Sequence, residues 1–186
     1  MQTEEEWVEA ARGGDTAAFG NLVEKYQKNV FRSVYRMVRD SDEAMEITQE
    51  AMVRAWQNLD RFRGDAPFAG WLSRIAIYLA LNKLRERKKF VRPAEAEQHD
   101  AVLNQVQSTE TTPLNRVLND EAKSALRQAL SELPDEFRIP LSLRLYEEYS
   151  YDQIAEAMNV PLGTIMSRLF RARERLAHRV RELLGR

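Results

Sequence analysis

The sequence predicts an all-α fold made of two small helical domains. Glycine and proline are sparse, with 7 and 6 residues in a chain of 186. Apolar residues recur at spacings of three and four and do not alternate, which is the period of amphipathic helices. Between two such helical blocks, residues 93–112 are polar and carry few bulky side chains, which is typical of a flexible linker. The predicted domains are therefore residues 1–92 and 113–186.

Composition excludes several classes of protein. There is no cysteine, and two histidines, His99 and His178, cannot form a metal cluster alone. The amino terminus, MQTEEEW, is acidic where a signal peptide would be basic, and no apolar run approaches the roughly 20 residues that span a bilayer. No nucleophile–base–acid set, glycine-rich phosphate loop or metal-ligand spacing occurs. We therefore expect a cytoplasmic protein that is not an enzyme, binds no metal or cofactor and does not insert into a membrane.

Charge is distributed unevenly along the chain, although the formal net charge is -1. Residues 83–92 contain six basic residues and one acid, and residues 168–181 contain six basic residues and one acid. Two separated basic clusters predict two contacts with one polyanion. The alternative is that each cluster is a solvated helix end that complements the helix macrodipole.

The first two helices are predicted from their end signals. Thr3 is placed to cap the first helix with Glu6 three residues later, and Gly13-Gly14 ends it. Asp15 then caps a second helix that runs to about Val38. Its broad apolar face, which predicts a core-forming helix, consists of Phe19, Leu22, Val23, Tyr26, Val30, Val34 and Met37.

The third helix is predicted to start at Asp40 or Ser41 and to stop around Phe62. Its inward residues at spacings of four are Ile47, Ala51, Ala55 and Leu59. That phase leaves Glu46, Gln49, Glu50 and Arg54 on exposed surface, after a first turn enriched in acid. This acidic face is either a plain solvated surface or a docking surface for a basic protein partner.

A loop with aromatic edges follows the third helix. Residues 63–67, RGDAP, have loop chemistry, and Phe62, Phe68 and Trp71 flank them. The next helix places Tyr78 and Asn82 on one face that leads into the basic cluster at residue 83. Aromatic groups beside a cationic helix end are typical of a single-strand binder, which stacks bases and neutralises phosphates. The alternative is that the aromatics belong to the core, and for Trp71 alone the core is favoured.

The second domain is predicted to contain two helices, residues 113–133 and 137–146, before a helix-turn-helix. Arg138 and Arg144 are predicted to be exposed candidates for phosphate contact. Ser150 caps the next helix, Tyr151–Met158, and Asn159 tolerates the left-handed backbone that would end it.

The second helix of this motif follows Pro161, whose ring suits the start of a helix. Its predicted inward stripe is Leu162, Ile165, Leu169, Ala172 and Leu176. Its predicted outward face is Gly163, Thr164, Ser167, Phe170 and Arg171. Arginine reads guanine edges, serine and threonine adapt to either partner, and an apolar ring meets a thymine methyl, so this face suits a DNA major groove. The alternative is a plain amphipathic hairpin.

Three segments resemble the extracytoplasmic-function (ECF, group IV) sigma factors of the sigma-70 family, alternative subunits of bacterial RNA polymerase. They are DSDEAMEITQEAMVRAWQNLDRFRG, FAGWLSRIA and ALSELPDEFRIPLSLRLYEEYSYDQIAEAMNVPLGTIMSRLFRARERL. The match covers nearly the whole chain. It implies a first domain for core polymerase and the minus-ten element, and a second domain for the minus-thirty-five element.

The resemblance also implies roles for individual residues. The third helix would dock on the clamp helices of the largest polymerase subunit through Asp42, Glu46, Gln49, Glu50 and Arg54. The loop after it would capture a base flipped from the melted non-template strand. The implied minus-ten, single-strand residues are Phe62, Arg63, Gly64, Asp65, Ala66, Pro67, Phe68, Trp71, Tyr78, Asn82, Lys83, Arg85, Lys88 and Lys89. The implied minus-thirty-five residues are Arg144, Pro161, Gly163, Thr164, Ser167, Arg168, Phe170, Arg171 and Arg173.

The implied partners are core RNA polymerase, promoter DNA as duplex and as melted strand, and an anti-sigma factor that could hold the protein near the membrane. One position departs from the family: Tyr78 stands where many members carry asparagine, so the base preference of the pocket does not transfer. The rival hypothesis is a stand-alone helix-turn-helix regulator that binds an operator without core polymerase. It explains neither the aromatic loop nor the acidic helix, and such regulators usually dimerise.

Overall fold

The computed structural model describes residues 3–90, with the backbone alone for residues 88–90, and residues 120–185. In these ranges the chain forms eight α-helices and a short 3-10 turn, and no β-strand. The helices are α1 (Glu4–Arg12), α2 (Thr16–Val38), α3 (Ser41–Gln57), α4 (Phe68–Phe90), α5 (Asp120–Ser131), α6 (Asp135–Tyr146), α7 (Tyr151–Met158) and α8 (Leu162–Leu183). The all-α prediction is confirmed. None of the described helices is both long and apolar enough to cross a membrane.

The chain divides into two compact units, Met1–Glu95 and Ala96–Arg186. The domain limits at residues 92 and 113 stay a prediction, since the linker proposed between them lies outside the described residues. The same holds for residues 113–119, the predicted beginning of the helix that is described from Asp120 onward.

Helix ends in the first unit follow the predicted local chemistry. The side chains of Thr3 and Glu6 each accept a hydrogen bond from the backbone N–H of the other, so α1 begins with a capping box. Asp15 accepts from the N–H groups of Ala17 and Ala18 at the start of α2. Asp40 caps α3 by accepting from Glu43 N–H over 2.8 Å. The third helix is shorter than predicted: it ends at Gln57, and Leu59–Arg61 form the 3-10 turn.

The core of the first unit lies among α2, α3 and α4, with α1 packed against α2. Alanines at the centre of these contacts are fully buried: Ala44, Ala51 and Ala55 in α3 and Ala76 and Ala80 in α4. Small side chains allow helix axes to approach closely. The resulting rigid bundle fixes α3 against α4, so the acidic face of one helix borders the basic end of the other.

The core of the second unit is built around α8, which packs against α5, α6 and α7. Its fully buried side chains include Ile154 of α7 and Ile165, Leu169 and Ala172 of α8. The end of α5 is tied to the last turns of α8, because Arg179 donates hydrogen bonds to both carboxylate oxygens of Glu132, the residue that follows α5. These hydrogen bonds hold the pKa of the Glu132 carboxyl below its usual range. These contacts hold α8, the second helix of the motif formed with α7, against α5 and α6.

Candidate nucleic-acid interface

The helix-turn-helix of α7 and α8 has the geometry that its sequence predicts. Ser150 and Gln153 form a capping box at the start of α7. Asn159 ends that helix in the left-handed region, with φ of 54°. The N–H of Val160 donates to the carbonyl of Ala155 over 3.0 Å, which closes the turn before Pro161. Because α8 begins at the next residue, the two helices are joined by a short, hydrogen-bonded turn.

The outward face of α8 carries most of the predicted DNA-reading residues. Gly163, Ser167, Phe170 and Arg171 are exposed, as is Pro161, and Thr164 is half-buried. A Cβ placed on Gly163 would meet nothing within 4 Å, so the helix surface is open there. Phe170 is 62% exposed, so its side chain is accessible on this face.

One residue of the predicted inward stripe faces outward. Leu162 is 39% exposed, and Leu176 is half-buried. The buried stripe begins one turn later, at Ile165, because Leu162 is the first residue of α8 and precedes the part of the helix that packs on the core. Sequence reasoning also missed Met166, which is 53% exposed. Its position, four residues before Phe170, could have revealed it on a helical wheel.

Tyr151 joins two of the predicted DNA-contacting arginines. Its hydroxyl accepts a hydrogen bond from Arg173 Nη2 over 3.0 Å. The guanidinium of Arg144 lies 5.8 Å from the centre of the same ring and donates to the carbonyl of Tyr149 over 3.1 Å. Arginines from α6 and α8 therefore meet at the first residue of α7, although Tyr151 was not among the predicted site residues.

Other basic residues of this unit are engaged within the protein. Arg168 lies 3.9 Å from Glu136, and its side chain is 25% exposed. The prediction that Arg138 is exposed is wrong. Its side chain is 4% exposed and pairs with Asp135 over 2.6 Å, because α6 is enclosed on most sides and its apolar neighbours leave no outward face at that position. Arg138 is therefore part of the core.

The acidic face of α3 is exposed as predicted. Asp42, Glu46, Gln49, Glu50 and Arg54 all face solvent. Arg54 pairs with Glu50 over 2.6 Å within the helix. Two apolar residues of the same helix, Met45 and Val53, are 48% and 51% exposed and were missed from the sequence. A groove of about 540 Å³ runs between α3 and α4 and is lined by acidic, apolar and basic side chains, including Glu50, Val53 and Lys83.

Ion pairs connect this acidic face to the basic end of α4. Lys83 lies 3.6 Å from Glu46, and Arg87 Nη2 lies 3.2 Å from Glu43. Arg87 also donates to the carbonyl of Val38 at the end of α2. Burial raises the pKa of Glu43, and the nearby charges of Arg87 and Lys83 only partly oppose this rise. Part of the basic cluster thus forms ion pairs and hydrogen bonds within the bundle.

The loop after the 3-10 turn is exposed at its tip and anchored at both ends. Residues 63–67 are exposed, and Gly64 has φ of 80°, a conformation that favours glycine. Phe62 and Phe68 are only 8% and 3% exposed. Their rings meet edge to face with centroids 5.5 Å apart, so neither presents an open face for base stacking. Tertiary packing places them below the loop and leaves residues 63–67 as its accessible part.

The aromatic cluster extends to neighbouring helices. Trp71, half-buried, lies 5.3 Å from Phe62 and 5.6 Å from Phe68 between ring centroids, which agrees with the core assignment favoured for it. From α1, the guanidinium of Arg12 lies 5.7 Å from the Phe62 ring centre, and its Nε donates to the carbonyl of Leu59 over 3.4 Å. The first helix therefore supports the base of the loop.

The remaining single-strand candidates line the exposed side of α4. Tyr78 is 59% exposed. Asn82 is half-buried, and its Oδ1 accepts from Arg85 Nη1 over 2.7 Å. The side chains of Lys88 and Lys89 lie outside the described part of α4. In the described residues there is no group of three or more histidine, cysteine, aspartate or glutamate side chains that could hold a metal ion.

Comparison with known proteins gives matches in both units. Residues 22–90 match the family Sigma-70 region 2, and residues 123–176 match Sigma-70, region 4. The RNA polymerase sigma-H factor of Pseudomonas aeruginosa is 36% identical, with 99% of this chain and 97% of that protein aligned. The ECF RNA polymerase sigma-E factor of Escherichia coli is also 36% identical, with 99% and 97% aligned.

Two solved structures share the fold at 22% sequence identity. The sigma factor RpoE from Bartonella quintana, solved with the anti-sigma factor NepR, superposes with a TM-score of 0.55 over 90% of this chain and 96% of that one. CnrH, solved with the cytosolic domain of CnrY, superposes with a TM-score of 0.52 over 92% and 93%.

Proposed function

Because the chain belongs to the sigma-70 family of RNA polymerase sigma factors, and to its extracytoplasmic-function (ECF) branch, we propose that it is an alternative sigma factor of group IV. It binds core RNA polymerase, directs the enzyme to specific promoters and helps to melt promoter DNA. The observation that carries this proposal is the presence of region 2 and region 4 in one chain, at residues 22–90 and 123–176, each within its own helical unit.

The second unit reads duplex DNA of the minus-thirty-five element. The exposed side chains of Ser167, Phe170 and Arg171 enter the major groove, and each good bidentate contact discriminates by about 1–3 kcal/mol. Arg144 and Arg173, joined through Tyr151, hold the backbone phosphates beside them. The phosphate contacts position α8 in the groove, and the base contacts determine which DNA sequence is bound.

The first unit docks on the polymerase and opens the minus-ten element. The exposed acidic face of α3 binds a basic surface of the core enzyme, with Gln49 and Glu50 at its centre. The exposed loop residues 63–67 accept a base flipped from the non-template strand, above a floor formed by Phe62 and Phe68. Contacts to the flipped base offset an unpairing cost of a few kcal/mol. Tyr78, which is exposed on α4, the helix that follows this loop, influences which base is preferred.

The protein itself performs no catalysis, because the polymerase makes the RNA. Each unit alone binds DNA weakly, and attachment to core polymerase raises the effective concentration of one unit for its site once the other is bound. It acts in the bacterial cytoplasm. We also propose regulation by an anti-sigma factor, since two proteins of the same fold were solved with NepR and with CnrY, and such a factor could hold the chain near the membrane.

A binding comparison tests this proposal against the stand-alone regulator. Promoter DNA is selected from a random library with purified chain plus core polymerase, and its affinity is then measured with the chain alone. We expect the chain alone to bind at least tenfold more weakly. Equal affinity with and without core polymerase would favour the stand-alone regulator.

The docking surface has its own test. Gln49→Ala with Glu50→Lys should reduce retention of the chain on immobilised core polymerase while circular dichroism shows unchanged helicity. The matched control is Gln27→Ala with Glu24→Lys, the same changes on exposed positions of α2. If both pairs retain the same amount of polymerase as the natural chain, the docking assignment is mistaken.

A further inference from the structure

Three apolar side chains form a stripe on the exposed surface of α8. Leu162, Met166 and Phe170 are 39%, 53% and 62% exposed. They are four residues apart, so they lie along one side of the helix. With a rise of 1.5 Å per residue, the stripe is about 12 Å long. It adjoins the buried stripe of Ile165, Leu169 and Ala172, which faces the core.

The surroundings of this apolar stripe indicate a polyanionic partner. Residues 161–173 contain three arginines and no acidic residue. Arg171 is exposed next to Phe170, and Ser167 is exposed next to Met166. Apolar side chains within a positively charged surface are suited to a partner that carries both negative charge and small apolar groups.

DNA fits this description better than an anionic lipid surface. On its outward side the stripe is bordered by exposed Gly163 and Ser167, neither of which extends the apolar surface, whereas helices that lie in a membrane present a broad apolar face. In the major groove, each thymine presents a methyl group, which distinguishes it from cytosine. At 3.4 Å per base pair, a stripe of about 12 Å spans three to four base pairs.

We propose that Leu162, Met166 and Phe170 read thymine methyl groups in the upstream promoter element. This inference rests on the proposed function and specifies the readout of its second unit. Met166 is the central reader, because its flexible thioether side chain adapts to the position of a methyl group.

Deoxyuridine provides the test, since it differs from thymidine by the methyl group alone. Each thymidine of a selected upstream element is replaced singly, and affinity is measured with chain plus core polymerase. We expect at least one replacement to weaken binding about fourfold, which corresponds to the roughly 0.8 kcal/mol of one buried methyl or methylene group. That loss should shrink below twofold in the Met166→Ala or Phe170→Ala variant, as a double-mutant cycle requires for a direct contact.

Leu145→Ala is the matched control, because Leu145 is 38% exposed but lies on α6. It should leave the fourfold loss unchanged. The inference is overturned if no thymidine is sensitive, or if the loss persists in all of Leu162→Ala, Met166→Ala and Phe170→Ala. It is also overturned if Met166→Ala instead abolishes binding to phosphatidylglycerol vesicles and leaves DNA binding intact. If the same preparation initiates transcription while every replacement by deoxyuridine is tolerated, only this inference fails. If chain and core initiate none, the proposed function fails with it.

Discussion

Arg173 donates a hydrogen bond from Nη2 to the hydroxyl of Tyr151, 22 residues earlier in the chain, over 3.0 Å. The contact connects the recognition helix α8 to the start of α7. Since the guanidinium of Arg144 lies over the same ring, one tyrosine contacts both arginines for which we propose phosphate binding.

Tyr151→Phe should weaken binding of the upstream element about two- to fivefold. The substitution removes the hydrogen bond to Arg173, worth about 0.5–1 kcal/mol, and keeps the ring beneath Arg144. Affinity is measured with chain plus core polymerase, and the control is the same change in an Arg173→Ala background, where it should have little effect. An equal loss in both backgrounds would show that the hydroxyl acts independently of Arg173.

Arg138→Met and Arg144→Met should differ in their effect on DNA binding. Arg138 is buried, so Arg138→Met leaves DNA affinity and its salt dependence unchanged, whereas Arg144→Met lowers affinity and reduces the salt slope by about one unit. Arg138→Ala, which also removes the buried aliphatic stem, should destabilise the second unit by about 1–3 kcal/mol in urea unfolding. A reduced salt slope for Arg138→Met would contradict this expectation and show that Arg138 contacts DNA phosphates.

Glu43→Gln should flatten part of the pH dependence of stability in the first unit. Because burial raises the pKa of Glu43 above 4.5, the folded protein binds a proton there more readily than the unfolded chain. The associated stability is present below pH 4.5 and is lost as pH rises through the raised pKa. Urea midpoints of the natural chain should therefore fall more than those of Glu43→Gln as pH increases from mildly acidic to neutral.

The control for this experiment is Glu24→Gln, at an exposed position of α2 that is not among the charges acting on Glu43. It should show the pH dependence of the natural chain. If Glu43→Gln and the natural chain lose stability in parallel, the ionisation of Glu43 is not linked to folding.

Arg12→Gln should slow promoter opening without weakening recognition of the upstream duplex. Arg12 contacts the Phe62 ring and the Leu59 carbonyl at the base of the loop, and an exposed cation–π contact is worth about 0.5–1 kcal/mol. Permanganate reactivity of unpaired thymines measures the opening rate, expected to fall about two- to fivefold. The control is Lys25→Gln, which removes the ion pair between Lys25 of α2 and Glu4 of α1, away from the loop. Equal slowing in both variants would indicate a general loss of stability.

Local chemistry is why many helix ends were predictable from the sequence. The capping boxes of Thr3 with Glu6 and Ser150 with Gln153 involve residues three apart, and the left-handed conformation of Asn159 depends on its own side chain. The exposed acidic face of α3 followed from its helical period in the same way. These features require no knowledge of what packs against the helix.

Tertiary packing is why the other features were missed. Phe62 and Phe68 look available on a loop, but their burial depends on Trp71 and on α1 and α2. Arg138 carries a charge that favours exposure, yet α6 is enclosed by apolar contacts. The contact between Tyr151 and Arg173 joins residues on different helices, so no local sequence pattern predicts it.

Mapping of transcription start sites tests the central claim most directly. Purified chain and core polymerase are incubated with chromosomal DNA of the organism that encodes the chain, and the 5′ ends of the transcripts are sequenced. The proposed function predicts discrete start sites that core polymerase alone does not use, each preceded by a shared pair of upstream elements. Start sites identical to those of core polymerase alone would contradict it.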